Sequence, residues 1–245
     1  MKVELFIPCF IDQLYPQTAF NTVKILEKAG CEVVYNENQT CCGQPAYNAG
    51  YWEEAKEIGA KFLNDFSGSD FIVAPSASCV GMVRNGFNDL FTNSRAHNQC
   101  RQLQNHIFEL SDFLVNVLRK DYFGAELEGR AVFHDSCSGL RECKIKDEPR
   151  QLLSRVLGLE LVEMKDTDQC CGFGGTFAVK FDAISSAMAE QKIQNALAVE
   201  ANYIISTDHS CLLQLESYIT AHQLDIKTMH LADVLANGWL ESSEY

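Results

Sequence analysis

Short apolar runs and longer amphipathic stretches alternate along this chain of 245 residues. Residues 3–7 and 71–74 are apolar and β-prone, residues 32–35 form another short run, and apolar side chains recur with helical spacing within residues 16–30 and 52–62. A proline suits the start of the earlier helix and a glycine its end. This pattern predicts strands separated by helices, as in βαβ units.

The same order of elements returns in the second half of the chain. Strands are predicted at residues 131–133, 159–162 and 203–205, and amphipathic helices cover residues 152–157 and 177–188. The last of these helices is predicted to be long. We interpret the apolar faces of the helices in both halves as core.

Cysteines keep a similar register in both halves. A single cysteine precedes each Cys-Cys-Gly sequence, by 32 positions in the first half and 33 in the second, and another follows the pair by 37 and 40 positions. We interpret the chain as a duplicated unit, with repeats over residues 1–122 and 123–245 joined through residues 119–128. Residues 92–104, which lengthen the first repeat, are predicted to be a surface loop. The matched cysteines are Cys9, Cys41, Cys42, Cys79, Cys137, Cys170, Cys171 and Cys211.

The predicted fold is α/β, with two tandem pseudo-symmetric βαβ repeats and mainly parallel sheets. In such folds, sites form outside the carboxyl ends of the strands, which lie at one edge of the sheet. Each matched cysteine comes shortly after a predicted strand, so the four cysteines of a repeat are expected to meet at that edge. The sequence therefore predicts one four-thiol site in each repeat.

Composition narrows the class of protein. The chain is 47% hydrophobic and 22% charged, as in ordinary globular proteins, and its net charge of −13 argues against a nucleic-acid partner. The first residues lack the apolar core of a signal peptide and no apolar run reaches the length of a membrane span, so we expect a cytoplasmic protein without a transmembrane segment. Eleven cysteines in that reducing compartment favour metal binding or redox chemistry over disulfides.

Four clustered thiols are ligands for zinc or for an iron–sulfur cluster. Structural zinc sites use pairs of closely spaced cysteines in C-x₂₋₄-C knuckles, which neither set of matched cysteines provides. Adjacent cysteines point in different directions, which suits a cluster whose irons each take one thiolate. A glycine after the pair lets the backbone approach closely. Ligand geometry thus favours an iron–sulfur cluster, with zinc and unmetallated thiols as alternatives.

The two motifs also resemble a known family. The pattern C-x₃₁-CCG followed by S-x-x-C, repeated as C-x₃₂-CCG followed by D-x-x-C, is similar to that of the cysteine-rich CCG domain family, which includes one of the subunits of heterodisulfide reductase. Residues 41–46, 146–149 and 170–177 resemble the lactate-utilisation protein A branch of that family. The similarity spans residues 9–235.

The resemblance implies an iron–sulfur redox subunit of a cytoplasmic L-lactate oxidation complex, a component of an L-lactate dehydrogenase complex that conducts electrons to a ferredoxin-like partner subunit. It implies that the eight matched cysteines hold the clusters, with [4Fe–4S] as the expected type. One departure is that Ser76 and Asp208 stand where the family has the first cysteine of a C-x-x-C motif. Both are expected to form hydrogen bonds, and four thiolates per repeat still suffice for a [4Fe–4S] cluster.

Two alternative functions stay open. The first is a thiol/disulfide oxidoreductase like heterodisulfide reductase, which the missing fifth cysteine of each repeat disfavours. The second is a non-redox interaction module stabilised by zinc, with one ion per four-thiol site. Because the sites are predicted at exposed strand ends, clusters bound there are expected to be lost during aerobic purification.

Other residues near these motifs have simpler interpretations. Cys31, Cys100 and Cys143 have no counterpart in the other repeat and are expected to be structural. Cys143, which follows Cys137 by six residues, is the one that is near enough to be a spare ligand or a resolving thiol instead. His134 and His209 lie within three residues of predicted ligands. Histidines at strand ends usually form hydrogen bonds with their surroundings, so we expect these two to support the sites rather than to bind metal.

Overall fold

A computed structural model describes residues 1–92 and 95–239. In these residues the chain forms two four-stranded sheets, one in each half, and every pair of neighbouring strands is parallel. The strands of the first sheet are β1 (Lys2–Leu5), β2 (Glu32–Tyr35), β3 (Ile72–Ala74) and β4 (Ile107–Glu109). The strands of the second sheet are β5 (Glu126–Phe133), β6 (Leu157–Val162), β7 (Tyr203–Ser206) and β8 (Lys227–His230).

Helices connect the strands in both halves. Those of the first half are α1 (Cys9–Leu14), α2 (Pro16–Lys28), α3 (Gln44–Ala49), α4 (Trp52–Asp65), α5 (Ala77–Gly81), α6 (Phe87–Phe91), α7 (His97–Gln104) and α8 (Leu110–Asp112). Those of the second half are α9 (Asp147–Leu153), α10 (Thr176–Lys180), α11 (Asp182–Leu197), α12 (His209–Ala221) and α13 (Leu231–Leu235). Three π-helical segments, Met82–Gly86, Phe113–Val117 and Ser138–Cys143, lie beside these helices.

Strand order confirms the predicted fold class. The first sheet has the order β2-β1-β3-β4 and the second β6-β5-β7-β8, so corresponding strands occupy corresponding places. Parallel neighbours require a crossover, and the helices between successive strands provide it. The chain is therefore an α/β protein of two tandem repeats.

The fourth strand of each sheet was not predicted from the sequence. β4 and β8 are three and four residues long, and each leads directly into a helix, so neither carries an apolar run of its own. The connection between the halves is also shorter than the predicted span of residues 119–128, because β5 already begins at Glu126.

The predicted surface loop at residues 92–104 is wrong over much of its length. Residues 93–94 lie outside the described part of the chain, as do residues 240–245 at the end of the second repeat. From His97 onward, however, the segment is helix α7, which buries Cys100, Leu103 and Gln104. The prediction was wrong because most residues of this helix are polar and only a narrow face of it is buried.

The long helix predicted across residues 177–188 is instead two helices. The chain breaks at Phe181 between α10 and α11, and the predicted apolar face is not the buried one, because Phe181 and Ile184 are 52% and 56% exposed. Helix α11 buries the face that includes Ala189, Lys192 and Ile193. Two other residues predicted to be core, Phe20 and Trp52, are also exposed.

One apolar core joins the two repeats. Side chains of the first half, such as Val3, Ile25 and Phe113, belong to the same buried cluster as Phe133 and Leu235 of the second half. Two smaller buried clusters each consist mainly of residues from one half of the chain. No helix in the described residues is long and apolar enough to cross a membrane.

Candidate metal centres

The matched cysteines lie where the parallel strands end. Cys9 begins α1 a few residues after β1, and Cys79 lies in the first turn of α5, just after β3. Cys41 and Cys42 follow β2 in a turn that leads into α3. Since the carboxyl ends of parallel strands share one edge of a sheet, the fold brings these residues together.

In the first repeat all four thiols are neighbours. The Cys9 thiol donates to Cys41 Sγ across 3.6 Å. The Cys42 thiol donates to Cys41 and also contacts Cys79. Cys42 is buried, Cys41 and Cys79 are partly buried and Cys9 is exposed. The group therefore reaches from the interior to the surface.

The second repeat has an equivalent group. The Cys137 thiol donates to Cys170, and Cys171 contacts both Cys170 and Cys211 through its thiol. Cys171 is buried and Cys137 exposed, as their counterparts Cys42 and Cys9 are, whereas Cys211 is more buried than Cys79. Each group thus contains the four cysteines that its repeat was predicted to bring together.

Glycines shape both cysteine turns. Gly43 and Gly172 have φ angles of 85° and 92°, a backbone conformation that side-chain-bearing residues rarely adopt. Their amide groups donate to Cys41 Sγ and Cys170 Sγ, each across 3.4 Å. The glycine therefore closes the turn and directs a backbone N–H at the first sulfur of each pair.

The thiols of each group differ in acidity. Hydrogen bonds from Cys42 and Cys9 lower the pKa of Cys41, and hydrogen bonds from Cys137 and Cys171 lower the pKa of Cys170. The thiols that donate these bonds hold their protons more tightly. The pKa of Cys42, for example, is raised well above its usual value by hydrogen bonding to Cys41 and Cys79 and by burial.

This electrostatic arrangement fits a bound cation. One sulfur in each group is favoured as a thiolate, but four adjacent thiolates would repel one another in a partly buried site. Metal ions remove that repulsion because a coordinating thiol is deprotonated by the metal. The chemistry of the donor set therefore indicates metal or cluster binding at both groups.

The unmatched cysteines lie outside the two groups. Cys31 belongs to the core that joins the repeats, and the Cys100 thiol faces Phe87 O in the core of the first half. The Cys143 thiol donates to Ala77 O across 3.3 Å, so it links the second repeat to the first.

Ser76 and Asp208 bond to each other across the two halves. Ser76 Oγ donates to Asp208 Oδ1 at 3.1 Å, and the Ser78 amide donates to the same oxygen at 3.0 Å. Both Ser76 and Asp208 are buried. The residues that stand in place of the fifth cysteines therefore form hydrogen bonds that join the repeats.

His209 lies at the same interface. Its ring stacks between those of Tyr15 and His230, at centroid distances of 3.8 and 4.6 Å, and its Nε2 is 2.8 Å from Thr18 Oγ1. Burial lowers the pKa of His209 to about 2, so the ring is neutral. These contacts agree with the supporting role expected for this histidine.

His134 has a different environment. Its side chain is fully buried, and neither Nδ1 nor Nε2 has a hydrogen-bond partner among the described residues, contrary to the hydrogen bonds expected for it. A ring nitrogen lies within 4.8 Å of both Cys171 Sγ and Cys211 Sγ. Burial and the nearby charge of Lys192 lower the pKa of His134 to about 3, so the imidazole is neutral.

Lys192 was not singled out from the sequence, yet it is fully buried. Its Nζ donates to Asp166 O at 2.6 Å and to Thr167 O at 3.0 Å, which holds the loop that precedes the second cysteine pair. From the sequence, the burial of Lys192 could have been predicted only if the buried face of helix α11 had been assigned correctly.

Comparison with known proteins gives consistent matches in both repeats and over nearly the whole chain. The cysteine-rich domain family known as CCG matches residues 3–84 and 131–216, one segment in each repeat. "Lactate utilization protein A 2" of Bacillus cereus is 43% identical over 239 residues, which cover 97% of this chain and 99% of that protein. "Lactate utilization protein A" of Geobacillus kaustophilus is 43% identical over 235 residues, which cover 96% and 98%.

A solved structure shares the fold at low sequence identity. A hypothetical protein from Helicobacter pylori superposes with a TM-score of 0.64 at 13% identity. The match covers 98% of this chain and 49% of the other, so this chain spans about half the length of that protein.

Proposed function

The chain belongs to the cysteine-rich CCG domain family, and on that basis we propose that it is an iron–sulfur redox subunit of an L-lactate oxidation complex. In this proposal it conducts electrons to a ferredoxin-like partner subunit in the cytoplasm. The repeats at residues 1–122 and 123–245 each hold one cluster, with [4Fe–4S] as the proposed type. The proposal assigns lactate utilisation from relatives that align over nearly their entire length.

The convergence of four thiols at the strand ends of each repeat is the observation that carries the proposal. The proposed ligands are Cys9, Cys41, Cys42 and Cys79 in the first centre and Cys137, Cys170, Cys171 and Cys211 in the second. A cluster bound by such thiolates supplies one-electron storage.

The chain itself contributes three further features to this role. The amides of Gly43 and Gly172 donate to ligand sulfurs, and such hydrogen bonds to sulfur raise the reduction potential of a centre. Buried Cys42 and Cys171 anchor each centre in the interior. Exposed Cys9 and Cys137 bring it to the surface, where a redox partner can approach.

The alternatives receive less support. A heterodisulfide-reductase-like activity would use a fifth thiolate in each repeat, but Ser76 and Asp208 occupy those positions and bond to each other. A zinc-stabilised interaction module would account for four thiols per site, yet it gives no reason for adjacent cysteines in both groups.

Metal analysis of protein purified without oxygen tests the proposal. We expect iron and acid-labile sulfide in both repeats and an EPR signal after reduction with dithionite. Cys42→Ser and Cys171→Ser should each remove the iron of one repeat, because both are buried members of their thiol groups. Cys100→Ser, a buried thiol outside both groups, is the matched control and should keep all the iron.

Zinc in place of iron would contradict the redox role. Full iron retention in both Cys42→Ser and Cys171→Ser would instead contradict the ligand assignment. Aerobic purification provides a further check, since the exposed edge of each site predicts loss of iron in air.

A further inference from the structure

The two repeats differ at one buried position beside the thiol groups. Phe6 N donates to Val73 O at 2.9 Å in the first sheet, and His134 N donates to Ile205 O at 2.8 Å in the second. Phe6 and His134 also precede the first matched cysteine of their repeats by three residues. They are therefore equivalent, and an apolar ring in one repeat is replaced by an imidazole in the other.

The helix residue opposite this position differs as well. In the first repeat, Phe62 packs edge-on against Phe6 with a centroid distance of 4.8 Å. In the second repeat, Lys192 occupies the position equivalent to Phe62, and it is fully buried as a tethered ammonium. The aromatic contact between Phe6 and Phe62 in the first repeat is therefore replaced in the second repeat by a histidine and a lysine.

The equivalence of Phe62 and Lys192 follows from the cysteine turns. A Cβ built on Gly43 would lie closest to Ala55 O, and a Cβ built on Gly172 closest to Ser185 O. Phe62 and Lys192 each lie seven residues beyond that carbonyl on the same helix. Both therefore lie on the buried helix face beside their thiol group.

The imidazole of His134 has none of the hydrogen bonds that a buried polar ring requires, among the residues the structure describes. A phenylalanine at this position, as in the first repeat, carries no such cost. A histidine with two unpartnered nitrogens costs free energy unless a ligand satisfies it. The sulfurs of Cys171 and Cys211 lie within 4.8 Å of a ring nitrogen and form with it a buried three-ligand set. Neutral imidazole and thiolate both bind iron in biological clusters.

We propose that His134 is a nitrogen ligand of the second centre, beside Cys171 and Cys211. It takes the place of one of the two other thiolates of that group, so that the two repeats hold centres with different ligand sets. This inference rests on the proposed iron–sulfur function. The first repeat, with Phe6 at the equivalent position, has ligation by cysteine only.

The same differences affect the reduction potential of the second centre. A neutral imidazole adds no negative charge to the second centre, and nitrogen ligation raises the potential of a cluster. The buried Nζ of Lys192 also favours the reduced state when it carries its proton, although burial lowers the pKa of this group. We therefore expect the second centre to have the higher reduction potential of the two.

Pulsed EPR on anaerobically purified protein labelled with ¹⁵N-histidine tests this ligation. We expect one of the two reduced centres to show the strong hyperfine coupling of a directly bound nitrogen, with the frequency change that the isotope produces. His134→Phe, which reproduces the first repeat, should abolish this coupling. His222→Phe is the matched control, because His222 is exposed and bonds only to Tyr218 O among the described residues.

A redox titration followed by EPR separates ligation from charge. His134→Phe should lower the potential of the second centre or remove its signal, and the signal of the first centre should persist. Lys192→Met should lower the same potential and leave the nitrogen coupling intact. The labelled wild-type protein decides the question even where a variant fails to fold.

The possible failures are distinct. Two iron–sulfur signals without histidine nitrogen coupling, or a coupling that survives in His134→Phe, would overturn the ligand assignment and leave the redox function standing. Absence of iron–sulfur signals from the wild-type protein would overturn the proposed function itself.

Discussion

At the scale of single residues, the cysteine turns depend on glycines that no other residue can replace without strain. Gly172 has a φ of 92°, and a Cβ added there would lie 2.5 Å from Ser185 O, a backbone atom of α11. Gly43 is less crowded, since its Cβ would lie 3.2 Å from Ala55 O. The second turn is therefore the tighter of the two.

Gly172→Ala is expected to destabilise the protein by more than the cost of its backbone conformation. Alanine at positive φ costs about 1–2 kcal/mol, and the contact with Ser185 O forces the turn to move as well. Gly50→Ala is the matched control, because Gly50 has a φ of 86° and nothing within 4 Å of its added Cβ. Urea denaturation should show a larger loss for Gly172→Ala, and equal losses would refute the steric argument.

Glu109 is a buried carboxyl with an unusual acidity. Desolvation raises its pKa from the usual 4.5 to about 8, although Oε2 accepts hydrogen bonds from the Ser111 amide and hydroxyl and from the Asp112 amide. Its Oε1 has no partner among the described residues. The folded protein therefore keeps this group protonated at a pH where the unfolded chain has released the proton.

This difference predicts a loss of stability as the pH rises. Because the pKa is raised in the folded state, the stabilisation is complete below pH 4.5 and is lost as the pH rises toward 8. The slope is about 1.4 kcal/mol per pH unit for one proton. Glu109→Gln should remove this slope from the free energy of unfolding, whereas Glu57→Gln, at an exposed site on α4, should leave it in place. A wild-type slope that persists in Glu109→Gln would count against the raised pKa.

At the scale of elements, helix α11 shows how an apolar pattern can mislead. Its exposed side carries Ile184, whereas its buried side contains a lysine, a serine and an asparagine along with Ile193. The buried polar groups are satisfied locally: Lys192 by two carbonyls, Ser185 by Gly172 O and Asn195 by Lys165 O. The buried face of this helix is therefore partly polar, because its side chains hydrogen-bond to the loop and the turn that contain the second cysteine pair.

Two isoleucines on α11 provide a matched test of that orientation. Ile193→Ala should cost about 2–5 kcal/mol, as expected for truncation of a buried aliphatic side chain. Ile184→Ala should change the free energy of unfolding by less than about 0.5 kcal/mol, because this side chain is mostly exposed. Thermal denaturation of the two variants measures the difference. A larger loss for Ile184→Ala would reverse the assigned buried face.

The sequence predicted the elements that carry a strong periodic signal and missed those that depend on tertiary contacts. Strand β2 and helix α2 were predicted closely, because an apolar run or a proline and a glycine define their ends. β4 is too short to show a pattern, and α7 buries its few apolar residues among polar ones. The composition of such short segments does not show which strand they pair with or which of their side chains are buried.

The candidate site was predictable in its ligand set but not in its asymmetry. The doubled cysteine spacing predicts which thiols converge, since strand ends in a parallel sheet share an edge. The equivalence of Phe6 with His134 becomes visible only when the two sheets are aligned by their hydrogen bonds. The hydrogen bond between Ser76 and Asp208 likewise depends on how the halves dock.

At the scale of the whole molecule, polar contacts reinforce the core that joins the repeats. Asp233 of α13 accepts hydrogen bonds from Thr18 Oγ1 at 2.8 Å and from Asn21 Nδ2 at 2.9 Å, both on α2. Lys28 Nζ lies 3.9 Å from the centroid of the Trp239 ring. Each repeat therefore buries part of its surface against the other, and neither has a complete core alone.

We therefore predict that the two repeats unfold together, although their sequences repeat a unit. The chain has two tryptophans, Trp52 in the first repeat and Trp239 in the second. Single-tryptophan variants made with Trp239→Phe or Trp52→Phe should give coincident urea transitions by fluorescence and by circular dichroism. Asp233→Ala should lower both midpoints equally, at a cost of about 1–3 kcal/mol for the two hydrogen bonds lost, whereas exposed Asp225→Ala should lower neither. Separate transitions for the two tryptophans would mean that the shared core does not couple the repeats, and the boundary near residue 122 would then divide two independent domains.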